Sequence, residues 1–216
     1  MNRYYKVILM YVLSQSVFVR ILFNLFNQPF FNLTEELKLI FVNLVLNIGL
    51  IGVSFLFLKE ELIREVRTFK GGRYFVRMLL MGSGLTLVTN VVSQFILISL
   101  GDGSTESMNQ QLVVDLIEVH PVVMFVMATM LAPIAEELVF RFSVMNLIQK
   151  PVPAVIVSSL FFGWVHVAAG GDYLYMIPYV LSGLILSVSY LKSNNIWYPI
   201  AIHVVNNLLA TLIQLN

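Results

Sequence analysis

The 216-residue sequence has no cysteine, two tryptophans, three histidines and a charged fraction of only 12%. Without cysteine there is no disulfide scaffold, no thiolate nucleophile and no thiolate metal site, and the redox compartment cannot be read from cysteine usage. A soluble domain of ordinary composition carries about 25% charged residues. Half that amount leaves too little polar material to cover a globule of this length, which excludes an ordinary soluble enzyme and a disordered tail. An excess of one charge is missing as well: 13 Lys and Arg stand against 12 Asp and Glu, a net charge of +1. A nucleic-acid partner needs a basic surface that this balance does not supply. Apolar side chains, by contrast, make up 58% of the chain. That combination specifies a multi-span membrane protein, with membrane lipid as its surroundings.

A spanning helix takes about 20 mostly apolar residues, each rising about 1.5 Å. Seven segments meet this measure, near residues 5–26, 37–58, 74–100, 121–148, 152–169, 174–191 and 197–215. The expected fold class is therefore all-α: a polytopic membrane helical bundle of about seven transmembrane helices in a single membrane domain, residues 1–216. The first segment holds Arg20 and no small-residue cleavage site follows it, so it reads as a span and not a signal peptide. With the N-terminus in the cytoplasm, the cytoplasmic connections hold Arg3, Lys6, Lys59, Arg64, Arg67, Lys70, Arg73, Lys150 and Lys192, while the opposite side holds only Lys38. This is the positive-inside pattern, and it places the C-terminus outside. The outer connection 101–119 has no basic residue but contains Asp102, Glu106, Asp115 and Glu118. Its Leu112-Val113-Val114 and Leu116-Ile117 fit a short helix along the membrane surface.

A charge inside a span needs a reason, since on insertion scales it costs about 2.5–3.5 kcal/mol at mid-bilayer. The fourth segment has three together in Pro133-Ile134-Ala135-Glu136-Glu137-Leu138-Val139-Phe140-Arg141. Glu137 and Arg141 are four apart, share a helical face and can pair. Glu136 has no partner nearby in sequence, and Pro133 one turn earlier is expected to kink and open the helix. The fifth segment contributes Phe162 and His166, and the seventh His203 and Asn207, again four apart. Glu136 and His166 lie equally far from the turn at Lys150-Pro151, so they are level. His203 lies about 9 Å from its cytoplasmic boundary and His166 about 21 Å from its own, a mismatch of about 12 Å. It closes if the turn between the fourth and fifth segments protrudes into the cytoplasm, leaving the site in a cavity open to that side.

Other residues have plainer readings. The run Lys59 to Arg73, ending at Gly71-Gly72, is a solvated loop that fixes orientation or, alternatively, a contact for anionic lipid or a partner's acidic segment. Arg20 and Arg77 can snorkel from span ends. His120 reads as interfacial, Phe162 and Trp164 as packing residues, and Asp172 as turn chemistry in Gly170-Gly171-Asp172.

Glu136-Glu137-x-x-x-Arg141, then Phe162-x-x-x-His166, then His203-x-x-x-Asn207, in that order on successive apolar helices, resembles the CPBP family of intramembrane proteases. That family groups type II CAAX prenyl endopeptidases with bacterial Abi-type and bacteriocin self-immunity proteins. The motifs occupy residues 133–207; segments 1–119 carry none, and 120–216 form the part that the resemblance makes catalytic. The resemblance implies an endopeptidase in which Glu136 activates a water, His166 helps hold it, His203 and Asn207 stabilise the oxyanion, and Glu137 with Arg141 orders the site. Donors aimed at developing negative charge beside a base suit amide hydrolysis, and no Ser or Thr in the motifs offers a nucleophile. A zinc held by Glu136, His166 and His203 satisfies the three-ligand pattern of a catalytic site. A metal-free glutamate-activated water uses the same residues, so Zn2+ stays open. The implied substrates are peptides or membrane proteins in a bacterial plasma membrane. Two other readings use the same residues: a non-catalytic partner of another membrane protein, such as an immunity protein or sensor-kinase regulator, and a proton-handling transporter. The absence of an inverted repeat counts against the last.

Overall fold

The computed structural model describes residues 2–101 and 106–214; Asp102 of the outer connection and Leu215 of the last expected span lie outside them. Most of the described residues are helical, and none of them forms a strand. In chain order the helices are α1 Arg3–Phe26, α2 Glu35–Thr68, α3 Gly72–Ser99, α4 Met108–Val119, α5 Pro121–Ile148, α6 Pro151–Val167, α7 Tyr173–Ser193 and α8 Trp197–Gln214.

Local chemistry sets these boundaries. The Asn2 side chain accepts from the Tyr4 amide, Thr34 caps α2, and Ser107 Oγ accepts from Gln110 N at 3.2 Å to start α4. Pro121 and Pro151 open α5 and α6, where their missing N–H is no loss. Gln149 and Asn194, in left-handed conformation with φ of 63° and 48°, end α5 and α7. The surface helix expected between the third and fourth segments is α4, with Leu116 and Ile117 buried.

Five helices, α1, α2, α3, α5 and α7, are long and apolar enough to cross a membrane by length and composition. The other two of the seven expected spans, near 152–169 and 197–215, form shorter apolar helices, α6 and α8, below the length of a full crossing. α6 stops early because Gly170 and Gly171, the latter at φ 75°, turn the chain. The protein is a multi-pass integral membrane protein. Its surface fits that setting: Leu80, Val88, Val91, Phe95 and Ile98 of α3 are exposed, whereas its buried face consists of Gly82, Ser83, Thr86, Ser93 and Leu97. Small residues turned inward and large apolar ones outward are the reverse of a soluble helix and match helix packing in lipid.

α6 packs along α7, α7 and α8 pack on α3, and α1 packs on α2 and the middle of α5. The main core joins Val7 and Tyr11 of α1, Leu58 of α2, Val139 and Phe140 of α5 and Phe162 of α6. The turn before α8 is tied to α2: Glu65 Oε2 accepts from Ile196 N at 2.8 Å, and Asn195 Nδ2 donates to Glu65 O at 2.6 Å.

Candidate active site

α5 is not a regular helix where it carries the acidic pair. A π segment, Met127–Leu131, precedes Pro133, and a second, Leu138–Val144, follows Glu137. At Pro133, where the helix is expected to kink and open, the wider π turn runs into the proline that lacks a donor. π turns leave carbonyls without regular partners, and here side chains supply them. Ser143 Oγ donates to Leu138 O at 2.8 Å, Ser158 Oγ to Phe140 O at 2.8 Å, Asn146 Nδ2 to Phe142 O at 2.6 Å and Asn207 Nδ2 to Ala128 O at 2.9 Å. Only α-helical spacing was assumed in the sequence, so these supporting residues had no signal there beyond being polar in an apolar span.

The carboxylates part company at this point. Glu137 is fully buried, and its Oε1 accepts from Arg141 Nη1 and pairs with His203 Nδ1, each at 2.8 Å. Arg141 is also fully buried; its Nη2 reaches Gly183 O at 3.4 Å and its guanidinium lies 4.3 Å from the Phe162 ring centroid. Gly183 lets α7 approach α6 closely, because a Cβ there would lie 3.0 Å from Ser159 Cα. Glu136 by contrast keeps 23% of its side chain exposed. Its Oε2 lies 3.8 Å from both His166 Nε2 and His203 Nε2.

Both imidazoles are oriented from behind. His166 Nδ1 lies 2.7 Å from Phe162 O and His203 Nδ1 lies 2.8 Å from Glu137 Oε1, so each Nδ1 donates and each Nε2 faces Glu136. His166 is further held between Phe162, 4.4 Å away, and Tyr179, whose ring stacks at 4.4 Å and 24°. The Tyr179 hydroxyl lies 2.7 Å from Ser107 Oγ at the start of α4, where Asp172 Oδ2 also accepts from Met108 N at 2.8 Å. Asp172 thus pins α4 across the chain as well as shaping its own turn.

Glu136, Glu137, Arg141, His166 and His203 therefore form one cluster, and the expected 12 Å depth mismatch does not keep Glu136 from either histidine. Asn207 lies one turn beyond His203 but has one amide hydrogen engaged by Ala128 O, leaving one free. Tyr179, Ser107 and the Phe162 carbonyl are parts of the site that sequence reasoning missed. Neighbouring Asn206 has both amide atoms buried without a hydrogen-bond partner.

The donor set Glu136, His166 and His203 has zinc-binding chemistry, but not zinc spacing. Ligands at about 2.0–2.1 Å from a tetrahedral zinc stand about 3.3 Å apart, against 3.8 Å here from Glu136 to each histidine. Among the described residues no group of three His, Cys, Asp or Glu is placed to hold a metal ion. As arranged, these residues do not fit a bound zinc.

A multi-pass helical membrane protein with a buried Arg–Glu–His relay behind a partly exposed glutamate is thus defined. Residues 118–209 match the family Type II CAAX prenyl endopeptidase Rce1-like, in agreement with the resemblance carried by the motifs. The chain is similar to "Membrane-embedded CAAX protease MroQ" of Staphylococcus aureus (strain USA300), 24% identical over 96% of this chain and 87% of that protein. It is also similar to "Putative membrane peptidase YdiL" of Bacillus subtilis (strain 168), 29% identical over 51% of this chain and 45% of that protein. An uncharacterized protein of Mycoplasma capricolum is 30% identical over 58% of this chain and 40% of its own length. The chain thus aligns with less than half the length of two of these three relatives. No solved structure matches it.

Proposed function

We propose that this protein is an intramembrane endopeptidase that hydrolyses a peptide bond of a membrane-associated or peptide substrate through a water activated by Glu136. The observation that carries this reading is the placement of Glu136 Oε2, partly exposed, 3.8 Å from two imidazole nitrogens. That separation is too long for a direct hydrogen bond and is one that a water can bridge.

In the reaction, Glu136 takes a proton from the water while His166 Nε2 accepts the other water hydrogen and orients it. The hydroxide attacks the scissile carbonyl carbon. The oxyanion forms beside His203 Nε2, and the free amide hydrogen of Asn207 donates to it. Glu136 then passes its proton to the leaving amine as the C–N bond breaks. The buried Arg141 fixes Glu137 in place and touches no reacting atom.

The site opens, in this reading, to the cytoplasm, with the N-terminus on the same side. The cysteine-free chain makes this directly measurable: Lys150→Cys should be labelled by impermeant reagents only from the cytoplasmic side.

The test of the chemistry is a comparison of membrane proteomes from cells carrying the wild-type protein and Glu136→Ala. Glu136 makes no bond shorter than 3.8 Å to the histidines, so the variant should fold and accumulate normally while cleaved fragments disappear. Undiminished cleavage in Glu136→Ala sinks the proposal. Persistence of the cellular phenotype without any cleavage points instead to the non-catalytic partner.

A further inference from the structure

The end of the bundle where the basic residues gather holds a second feature, separate from the carboxylate cluster. Val66 and Phe69 at the end of α2, Phe75 at the start of α3, and Trp197, Ile200 and Ala201 of α8 line a cavity of about 440 Å³. That volume falls within the range of about 300–1,000 Å³ that small-molecule sites occupy. The lining is apolar apart from the Trp197 indole, whose Nε1–H is buried without an acceptor. A buried donor of this kind needs a partner, and the apolar groove, open toward the surroundings, offers none of its own. The Tyr198 hydroxyl, donating to Lys70 O at 2.6 Å, ties the α2–α3 connection to α8 and keeps the cavity walls in register.

The charge around this cavity is one-sided. From Val66 to Gly101 the chain has no Asp or Glu, but it has Arg67, Lys70, Arg73 and Arg77. All four are exposed, and among the described residues none is ion-paired. Arg67, Lys70 and Arg73 lie between the lining residues Val66 and Phe75 in the chain, with Phe69 among them. Arg73 and Arg77, four apart on α3, also border an apolar groove with Val76, Leu80 and Met81. The nearby acids are directed elsewhere: Glu61 pairs with Arg3 at 2.6 Å, and Glu65 caps α8.

We infer that this is a binding site for an anionic phospholipid. An acyl chain occupies the cavity, an ester carbonyl accepts from Trp197 Nε1, and the phosphate lies against Arg67, Lys70 and Arg73. Each part of the ligand answers a feature of the site: the chain fills the apolar volume, the carbonyl satisfies the orphaned donor, and the phosphate meets unpaired cations where a cationic cluster favours anionic headgroups. The site is one helical turn from His203 on α8, and its occupancy does not depend on the protease reading.

Trp197 reports on its own ligand once Trp164, on α6, is replaced. In the Trp164→Phe background, full-length protein is reconstituted in vesicles containing phosphatidylglycerol or phosphatidylcholine with identical brominated chains. Brominated phosphatidylglycerol should quench Trp197 with at least about fivefold stronger relative binding, the contribution of one engaged basic residue. Arg67→Gln/Lys70→Gln/Arg73→Gln should erase that preference, and Ala201→Phe, or the milder Ala201→Leu, should reduce quenching by filling the cavity. Equal quenching by the two lipids overturns the inference, as does a preference that survives the triple substitution. A preference untouched by both Ala201 variants overturns it too, because the charge then acts only at the surface. If soluble glycerol-1-phosphate abolishes the preference, the ligand is a free phosphate and the lipid site is refuted.

Discussion

Glu137 Oε1 pairs with His203 Nδ1 at 2.8 Å, and the same oxygen takes Arg141 Nη1 at 2.8 Å, so one buried oxygen joins a histidine of α8 to an arginine of α5. Glu137 Oε2 and Arg141 Nε have no hydrogen-bond partner, which concentrates the pairing on that oxygen. Glu137→Gln keeps the shape but removes the charge that balances Arg141 and orients His203. Breaking a buried pair on one side costs about 3–5 kcal/mol, whereas replacing both partners with apolar groups is often neutral. Glu137→Gln should therefore lower the melting temperature and reduce cleavage about 100-fold, the cost of an oxyanion donor, because His203 loses the partner that aims it. Glu137→Leu/Arg141→Met should regain much of the stability but none of the activity. Thermal melts in detergent, alongside cleavage assays, separate the two effects.

Tyr179 is the next residue to test, because two interactions on it can be cut apart. Its ring stacks on His166 at 4.4 Å, and its hydroxyl reaches Ser107 Oγ at 2.7 Å. Tyr179→Phe keeps the ring and should leave kcat nearly unchanged, because the hydroxyl bonds to Ser107 and Asn109 of the α4 region and not to His166. Tyr179→Leu removes the stack and should lower kcat about tenfold with little change in KM, as aromatic pairs contribute about 0.5–1.5 kcal/mol. Equal effects of the two variants would assign the role to the α4 contact instead of the stack.

Much of this was legible in the sequence, for identifiable reasons. Scarce charge gave the membrane class, and residues such as Glu136, Glu137 and Arg141 were conspicuous because a charge in an apolar helix is costly. Spacing of four predicted the Glu137–Arg141 pair correctly. The partner of His203 was not legible: its link to Glu137 spans 66 positions and depends on how α8 lies against α5. Phe162, read as packing, also supplies the carbonyl that orients His166, a backbone role that side-chain chemistry does not reveal. The π segments escaped notice because their stabilising groups, Ser143, Ser158, Asn146 and Asn207, come partly from other helices.

Gly183 tests whether close helix approach supports the site. A methyl group there would meet the Ser159 Cα at 3.0 Å, and backbone cannot swing aside as a side-chain tip can. Gly183→Ala should push α7 off α6 and lengthen the Arg141 contact to the Gly183 carbonyl, now 3.4 Å. Overpacking of this kind costs about 1–3 kcal/mol. A lower melting temperature with reduced cleavage is expected. Unchanged stability would mean that α7 shifts freely and that the carbonyl contact is dispensable.

The spacing around Glu136 makes a definite statement about metal. For Glu136, His166 and His203 to bind zinc, each Nε2 would have to approach Glu136 Oε2 by about half an ångström from its present 3.8 Å. Both rings are held from behind, His166 by the Phe162 carbonyl and the Tyr179 stack, and His203 by Glu137, which in turn is fixed by Arg141. Closing the set means straining those contacts, so a metal would have to offset the strain before it stabilised the fold. A ligand that binds only the native state raises the melting temperature in proportion to its occupancy. Micromolar zinc should therefore leave the melting temperature of the detergent-solubilised protein unchanged, and cleavage should withstand 1,10-phenanthroline. Loss of cleavage on chelation, restored by zinc and absent from His166→Ala, would show that the three donors do close around a metal, and the water would then be activated by the ion as well as by Glu136.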